Sequence, residues 1–128
     1  MAAVAYLDTH VAAWLYAGLI DRIPARARGL IETSELCVSP MVSLELQYLF
    51  EVKRTSEPAN VVLQELSRAV GLSVCSESFV TVVEMALTLS WTRDPFDRII
   101  VSQAALKGTA LVTKDKQIRA HYAKSVWD

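Results

Sequence analysis

Short apolar runs alternate with longer amphipathic stretches along this chain, and that alternation constrains the fold more than any other feature. Strand-length apolar segments separated by helix-length ones form β-α units, which build a parallel sheet covered on both faces. The apolar runs place strands at 3–7, 36–39, 72–75, 109–113 and 124–127. Helices are expected at 10–17, 24–33, 40–54, 58–70, 77–90 and 95–107, with a short helical turn after Asp115. Pro24, Pro40 after Ser39 and Pro95 after Asp94 fit helix starts, where a missing N–H costs nothing. The expected class is α/β, and 128 residues have room for one hydrophobic core, so 1–128 reads as a single domain.

The longest uninterrupted apolar run, Val11 to Ile20, contains Gly18 and falls far short of the roughly 20 residues that a spanning helix needs. No basic leader precedes the strand-like segment from Ala3, so the cytoplasm is the expected compartment. Cys37 and Cys75 lack zinc-finger spacing and read as plain buried thiols. A formal charge of −1 excludes a broad basic surface, but the average conceals an asymmetry. Up to residue 92 there are 6 Lys and Arg against 10 Asp and Glu; from Arg93 onward there are 7 against 4. The last third is therefore either a phosphate-facing surface or an ordinary solvated charged face.

In open parallel sheets, ligands bind beyond the carboxyl ends of the strands. Asp8 follows the first expected strand, Asp115 follows the strand ending at Thr113, and Asp94 and Asp97 open a helix. Asp8, Asp94 and Asp115 could each be helix N-caps and nothing more. For Asp94 that reading is preferred, because Asp94-Pro95-Phe96-Asp97 places a cap, a proline and an acid as a capping box does.

Glu45 cannot be a cap. On the helix from Pro40, the polar Ser43, Gln47, Glu51 and Arg54 share one face. A step of about 100° per residue puts Glu45 nearly opposite, among Met41, Tyr48, Leu49 and Val52. An inward carboxylate needs a cation, hydrogen-bond donors, a raised pKa or a salt bridge to an arginine. Asp97 repeats the anomaly more weakly, since Ile100, Val101 and Ala104 lie on its side of the helix. Inward acids beside strand-end acids point to a hard metal such as Mg²⁺ or Mn²⁺. Zinc is disfavoured, as the only histidines are His10 and His121 at unrelated spacing, and no Ser-His-Asp set can be assembled.

These residues also carry a resemblance. Tyr6-Leu7-Asp8-Thr9-His10 running into Trp14-Leu15 looks like the opening of PIN domains, and Ser43-Leu44-Glu45 resembles their second acidic motif. Asp94-Pro95-Phe96-Asp97-Arg98 followed by Gln103-Ala104 is the most specific match. Leu111-Val112-Thr113-Lys114-Asp115 and Val126-Trp127 are similar to the closing segments, and the motifs stand in family order over essentially the whole chain. Where related sequences often carry a His before Arg-Asp-Pro, this chain has Thr92.

The resemblance implies a three-layer α/β/α sandwich with a central, mainly parallel sheet. It implies a metal-dependent endoribonuclease, with VapC-type toxins as the nearest functional type. Asp8, Glu45, Asp97 and Asp115 would hold one or two Mg²⁺ or Mn²⁺ ions, and Thr113 would assist. Asp94, Thr9 and Ser43 would stand behind them, with His10 as a packing or supporting residue. Arg93, Arg98, Lys114, Lys116 and Arg119 are candidates for phosphate contact with RNA. The implied partners are a small antitoxin and a second copy of the chain, for which Trp14, Leu15, Tyr16 and Phe50 offer apolar surface if they are not core. A non-toxin RNA-processing nuclease and a catalytically silent partner-binding module remain alternatives. A phosphoacceptor receiver domain is disfavoured, because it would want adjacent acids after the first strand and an acceptor Asp after a central one, where this chain has Asp8-Thr9 and Ser76-Glu77.

Overall fold

The computed structural model describes residues 3–128; the rest of the expected single domain, residues 1 and 2, lies outside them. The chain runs β1 (Val4–Leu7), α1 (Thr9–Ala17), a 3₁₀ turn (Ile20–Arg22), α2 (Ala25–Thr33), β2 (Glu35–Val38) and α3 (Pro40–Glu51). It continues with α4 (Ala59–Val70), β3 (Ser73–Val74), α5 (Phe79–Ala86), α6 (Pro95–Lys107), β4 (Ala110–Val112), α7 (Lys116–His121) and β5 (Ser125–Val126). The five strands form one sheet in the order β3-β2-β1-β4-β5, and every neighbouring pair is parallel. Each parallel step needs a crossover, and the intervening helices supply it while covering the sheet.

β1 is the central strand, with Tyr6 opposite Cys37 on β2 and opposite Leu111 on β4. The chain leaves β1 toward β2 on one side and returns to β4 on the other. The crevice beyond the carboxyl ends of β1 and β4 is therefore the switch point at which open sheets bind ligands. The core is made by strand residues such as Leu7, Val38, Leu111 and Val112 with Val42 and Leu46 of α3, Ile100 of α6 and Ile118 of α7, all essentially inaccessible. No helix among the described residues is long and apolar enough to cross a membrane.

Several local expectations shift. Pro40 and Pro95 open their helices behind the caps Ser39 and Asp94, whereas Pro24 is itself the residue before α2. α5 stops at Ala86, short of 90, and the Arg98 guanidinium of α6 reaches the Ala86 carbonyl at 3.5 Å. Cys37 and Cys75 are only half-buried and line a cleft of about 370 Å³ with Tyr6, because the short edge strand β3 leaves that part of the sheet uncovered. Trp14, Leu15 and Tyr16 are half-buried and packed against the core.

α3 ends at Glu51, not Arg54, through a left-handed residue. Lys53 has φ 65°, its N–H bonds the Phe50 carbonyl, and the Arg54 N–H reaches back to the Leu49 carbonyl. Glycine usually fills this closing position because an L side chain crowds its own backbone there. Lys53→Gly should therefore raise the unfolding free energy by about 0.5–1 kcal/mol in urea titration. Destabilisation would show that the lysine is held there by a contact worth more than its backbone strain.

Candidate metal-binding active site

Asp8 leaves the end of β1 with its N–H still bonded to the Val112 carbonyl at 3.0 Å, so the sheet itself sets its position. Its carboxylate is buried. One oxygen accepts from the Thr9 N–H at 2.8 Å, and the other from the Thr113 hydroxyl at 2.6 Å. The Thr113 hydroxyl in turn accepts from the Asp115 N–H at 3.0 Å. Thr113 thus ties the ends of β1 and β4 together, 105 residues apart in sequence. Asp115 caps α7 by accepting from the Ile118 N–H at 2.9 Å.

Two helices bring further acids to this edge. Glu45 on α3 accepts a short hydrogen bond from the Thr9 hydroxyl. Burial raises its pKa first, the Thr9 hydroxyl opposes that, and the charges of Asp8 and Asp94 add to it. Asp97, in the first turn of α6, is pushed up to about 7. Burial is the leading cause, followed by Asp94, Asp8, Asp115 and Glu45. The ends of β1 and β4, the middle of α3 and the start of α6 therefore bring carboxylates to one edge of the sheet, and Asp97 feels all four others. Asp94 is exposed and caps α6 through the N–H groups of Phe96 at 2.8 Å and Asp97 at 3.4 Å.

His10 borders the cluster, its Nδ1 3.8 Å from the Asp8 carboxylate. Its Nε2 accepts the Lys114 backbone N–H at 3.1 Å, which leaves the ring proton on Nδ1. Burial lowers its pKa, and the ring packs edge-on against Trp14 and Trp127.

Comparison with known proteins gives the family. The family model for the PIN domain matches residues 5–124. The chain belongs to the PIN-domain family. Ribonuclease VapC22 of Mycobacterium tuberculosis is 34% identical over 120 residues, covering 90% of this chain and 89% of that protein. The PIN fold is shared with VapBC2 of Rickettsia felis bound to a promoter DNA fragment, at TM-score 0.68 and 18% identity, covering 98% of this chain and 99% of that one. DNA-bound VapBC of Salmonella typhimurium aligns at TM-score 0.62 and 18% identity, covering 91% of each chain.

Within the PIN frame, the other expected residues separate. Ser43 lines a shallow groove with Gln47 and Ala59 on the α4 side of α3, away from the acids. Tyr48 and Val52, placed inward with Glu45 by the helical wheel, are exposed. The buried stripe of α3 is Val42 and Leu46, so Glu45 occupies its margin, where it is half-buried. The Arg98 side chain is turned back, donating to the Thr92 carbonyl at 2.9 Å, and Arg119 is paired with Asp128 at 2.7 Å. Arg93 donates to the Ser90 carbonyl at 2.6 Å. Lys114 and Lys116 flank Asp115, are exposed, and form no ion pair among the described residues.

Thr92 has a part that sequence reasoning missed. It is buried, its hydroxyl accepts from the Asp94 N–H at 3.1 Å, and its carbonyl takes Arg98, so it stiffens the turn that delivers Asp94 and Asp97. A threonine two residues before the helix-capping aspartate was the available signal.

The raised pKa of Asp97 has a stability consequence. Its favourable contribution is fully present below the unfolded aspartate value near 4 and is lost as pH rises through about 7. In chelator, Asp97→Asn should therefore raise Tm at about pH 8 and change it little at about pH 4. Thermal unfolding at the two pH values checks this, and a Tm lowered at the higher pH would contradict it.

Proposed function

We propose that this chain is a VapC-type endoribonuclease, the toxin of a toxin-antitoxin pair, in which Asp8, Glu45, Asp97 and Asp115 hold Mg²⁺ or Mn²⁺ at the site of RNA cleavage. The observation that carries the assignment is the gathering of these acids at one sheet edge, where Thr9 joins Asp8 to Glu45, Thr113 joins Asp8 to Asp115, and Asp97 is pushed up to about 7 by burial and its neighbours. Such crowding opposes folding unless a cation compensates it.

The donor set fits a hard ion. The acids that act on Asp97 offer oxygen donors alone, with the His10 ring at their border. Among the described residues, no three side chains close a ready-made metal cage. An open set suits Mg²⁺, which keeps several waters and takes substrate phosphate oxygens as further ligands. When bound, such an ion supplies Lewis acidity and a water of lowered pKa for phosphodiester hydrolysis.

The residues of the chain set the geometry. Thr113 and the Thr9 N–H hold Asp8 in one orientation, each donating to a different oxygen, so the carboxylate is kept as an acceptor. The Thr9 hydroxyl orients Glu45, and the Asp94 cap fixes the helix turn that presents Asp97. Lys114 and Lys116 bring positive charge to the mouth of the site for the RNA backbone.

The similarity to ribonuclease VapC22 over nearly the whole length of both proteins supports the substrate class. The likeness to VapBC structures supports a cognate antitoxin as partner. A homodimer and a cytoplasmic location complete the reading, the former supported by the exposed Leu44, Phe79, Val80 and Leu87.

Purified protein should cut a mixed cellular RNA pool with Mg²⁺ or Mn²⁺ and not with chelator. Asp8→Asn or Asp97→Asn should abolish cutting with the fold retained, and Thr113→Val should lower it by about 10–100-fold. Gel or sequencing readout of cut ends checks all three. Undiminished cutting by folded Asp97→Asn would overturn the site assignment.

A further inference from the structure

A cleft of about 490 Å³ opens beside the acid cluster, between α1 with the 3₁₀ turn on one side and the closing turn of α3 on the other. Its size lies within the range of sites that enclose a small ligand. His10 lines this cleft and also stands 3.8 Å from Asp8, so one side chain borders both cleft and cluster. Ala13, Ala17 and Leu49 give it an apolar lining, Trp14 a flat aromatic wall, and Arg22 and Arg54 its charge.

Those charges are held and unspent. The Arg22 guanidinium lies 5.7 Å from the centre of the Trp14 ring and the Lys114 ammonium 5.0 Å from it. Arg22 and Arg54 are exposed, and neither forms an ion pair among the described residues. Asp21 adjoins Arg22 in the chain without pairing with it, and Glu51 is engaged by Gln47 at 3.1 Å. The Thr55 hydroxyl, which also lines the cleft, is buried without a hydrogen-bond partner.

We propose that this cleft is the subsite for the RNA strand on one side of the scissile phosphate. Arg22 and Arg54 take backbone phosphates, while Trp14 and Thr55 meet the nucleoside. The inference rests on the ribonuclease reading above and adds to it the path of the strand. Charge complementarity favours RNA as the occupant: unpaired cations and an aromatic wall suit a phosphodiester backbone with exposed bases. They also give the site a means of choosing what lies beside the cut, at a distance from the acids that perform it.

The test measures binding of short mixed-sequence single-stranded RNA by fluorescence anisotropy, in chelator so that nothing is cut, over a range of salt. Native protein is compared with the Arg22→Ala/Arg54→Ala double variant. Arg68→Ala serves as control, since Arg68 does not line the cleft and is paired with Glu65. The double variant should bind about tenfold or more weaker, with a log-log salt slope shallower by about 1.4, as two lost phosphate contacts require. The control should match native protein, and unchanged Tm values establish that both variants fold. Native-like affinity and slope in the double variant, with metal-dependent cutting intact, would overturn the proposal and leave the ribonuclease reading standing. Native-like RNA binding with lost binding of a co-expressed antitoxin would assign the cleft to the protein partner, and would also overturn it. RNA neither bound nor cut by native protein would overturn the ribonuclease reading itself.

Discussion

The Thr113 hydroxyl donates to one oxygen of Asp8 while accepting the Asp115 N–H, and the site depends on this one side chain. Leu7 pairs with Val112 in the β1/β4 register, so the next residues, Asp8 and Thr113, emerge side by side at the crevice of the sheet. A slip of one residue would turn Asp8 into the opposite face. Register is thus what converts two distant segments into one site, and the parallel ladder, extended past its end by the Asp8 N–H to the Val112 carbonyl, is what holds it. Leu7, Leu111 and Val112 are fully buried, so any slip would also misplace them in a close-packed core.

The acids cap helices and crowd Asp97 at once. Asp8, Asp94 and Asp115 each accept a backbone N–H at the start of a helix, and all three also press on Asp97. Capping and function were alternatives in the sequence; in three dimensions they do not compete, because each capping carboxylate still exerts its charge on Asp97. Helix N-termini lend partial positive charge to the same place, which lessens the repulsion among the acids. Asp97 shares the first turn of α6, yet among the described residues no hydrogen bond to its carboxylate offsets the surrounding charge, and it is the acid whose pKa rises to about 7.

Most of the architecture was legible because buried strands must be apolar and crossover helices must be amphipathic. All five expected strands lie within two residues of their observed ends, and Asp8 and Asp115 follow from them. What stayed hidden depended on partners distant in sequence. The early end of α3 comes from a left-handed Lys53 with no glycine to announce it. The helical wheel gave Glu45 the right side but the wrong companions, because it cannot distinguish apolar residues facing the sheet from Tyr48, which is exposed and packs beside Phe96 of α6. Arg98 read as a candidate phosphate contact among the cations of the last third. Its guanidinium instead holds the carbonyls of Thr92 and Ala86, a direction that only packing between α5 and α6 decides.

The central claim is that the crowded carboxylates await a cation, and proton release on metal binding tests it most directly. Mn²⁺ titrated calorimetrically into native protein at about pH 6, in buffers of different ionisation enthalpy, should displace roughly one proton per site, because Asp97 must ionise to bind. The release should fade above about pH 8, and Asp97→Asn should lose both the proton and most of the affinity. Mn²⁺ binding without proton release and indifferent to Asp97→Asn, or no binding at all, would contradict the account.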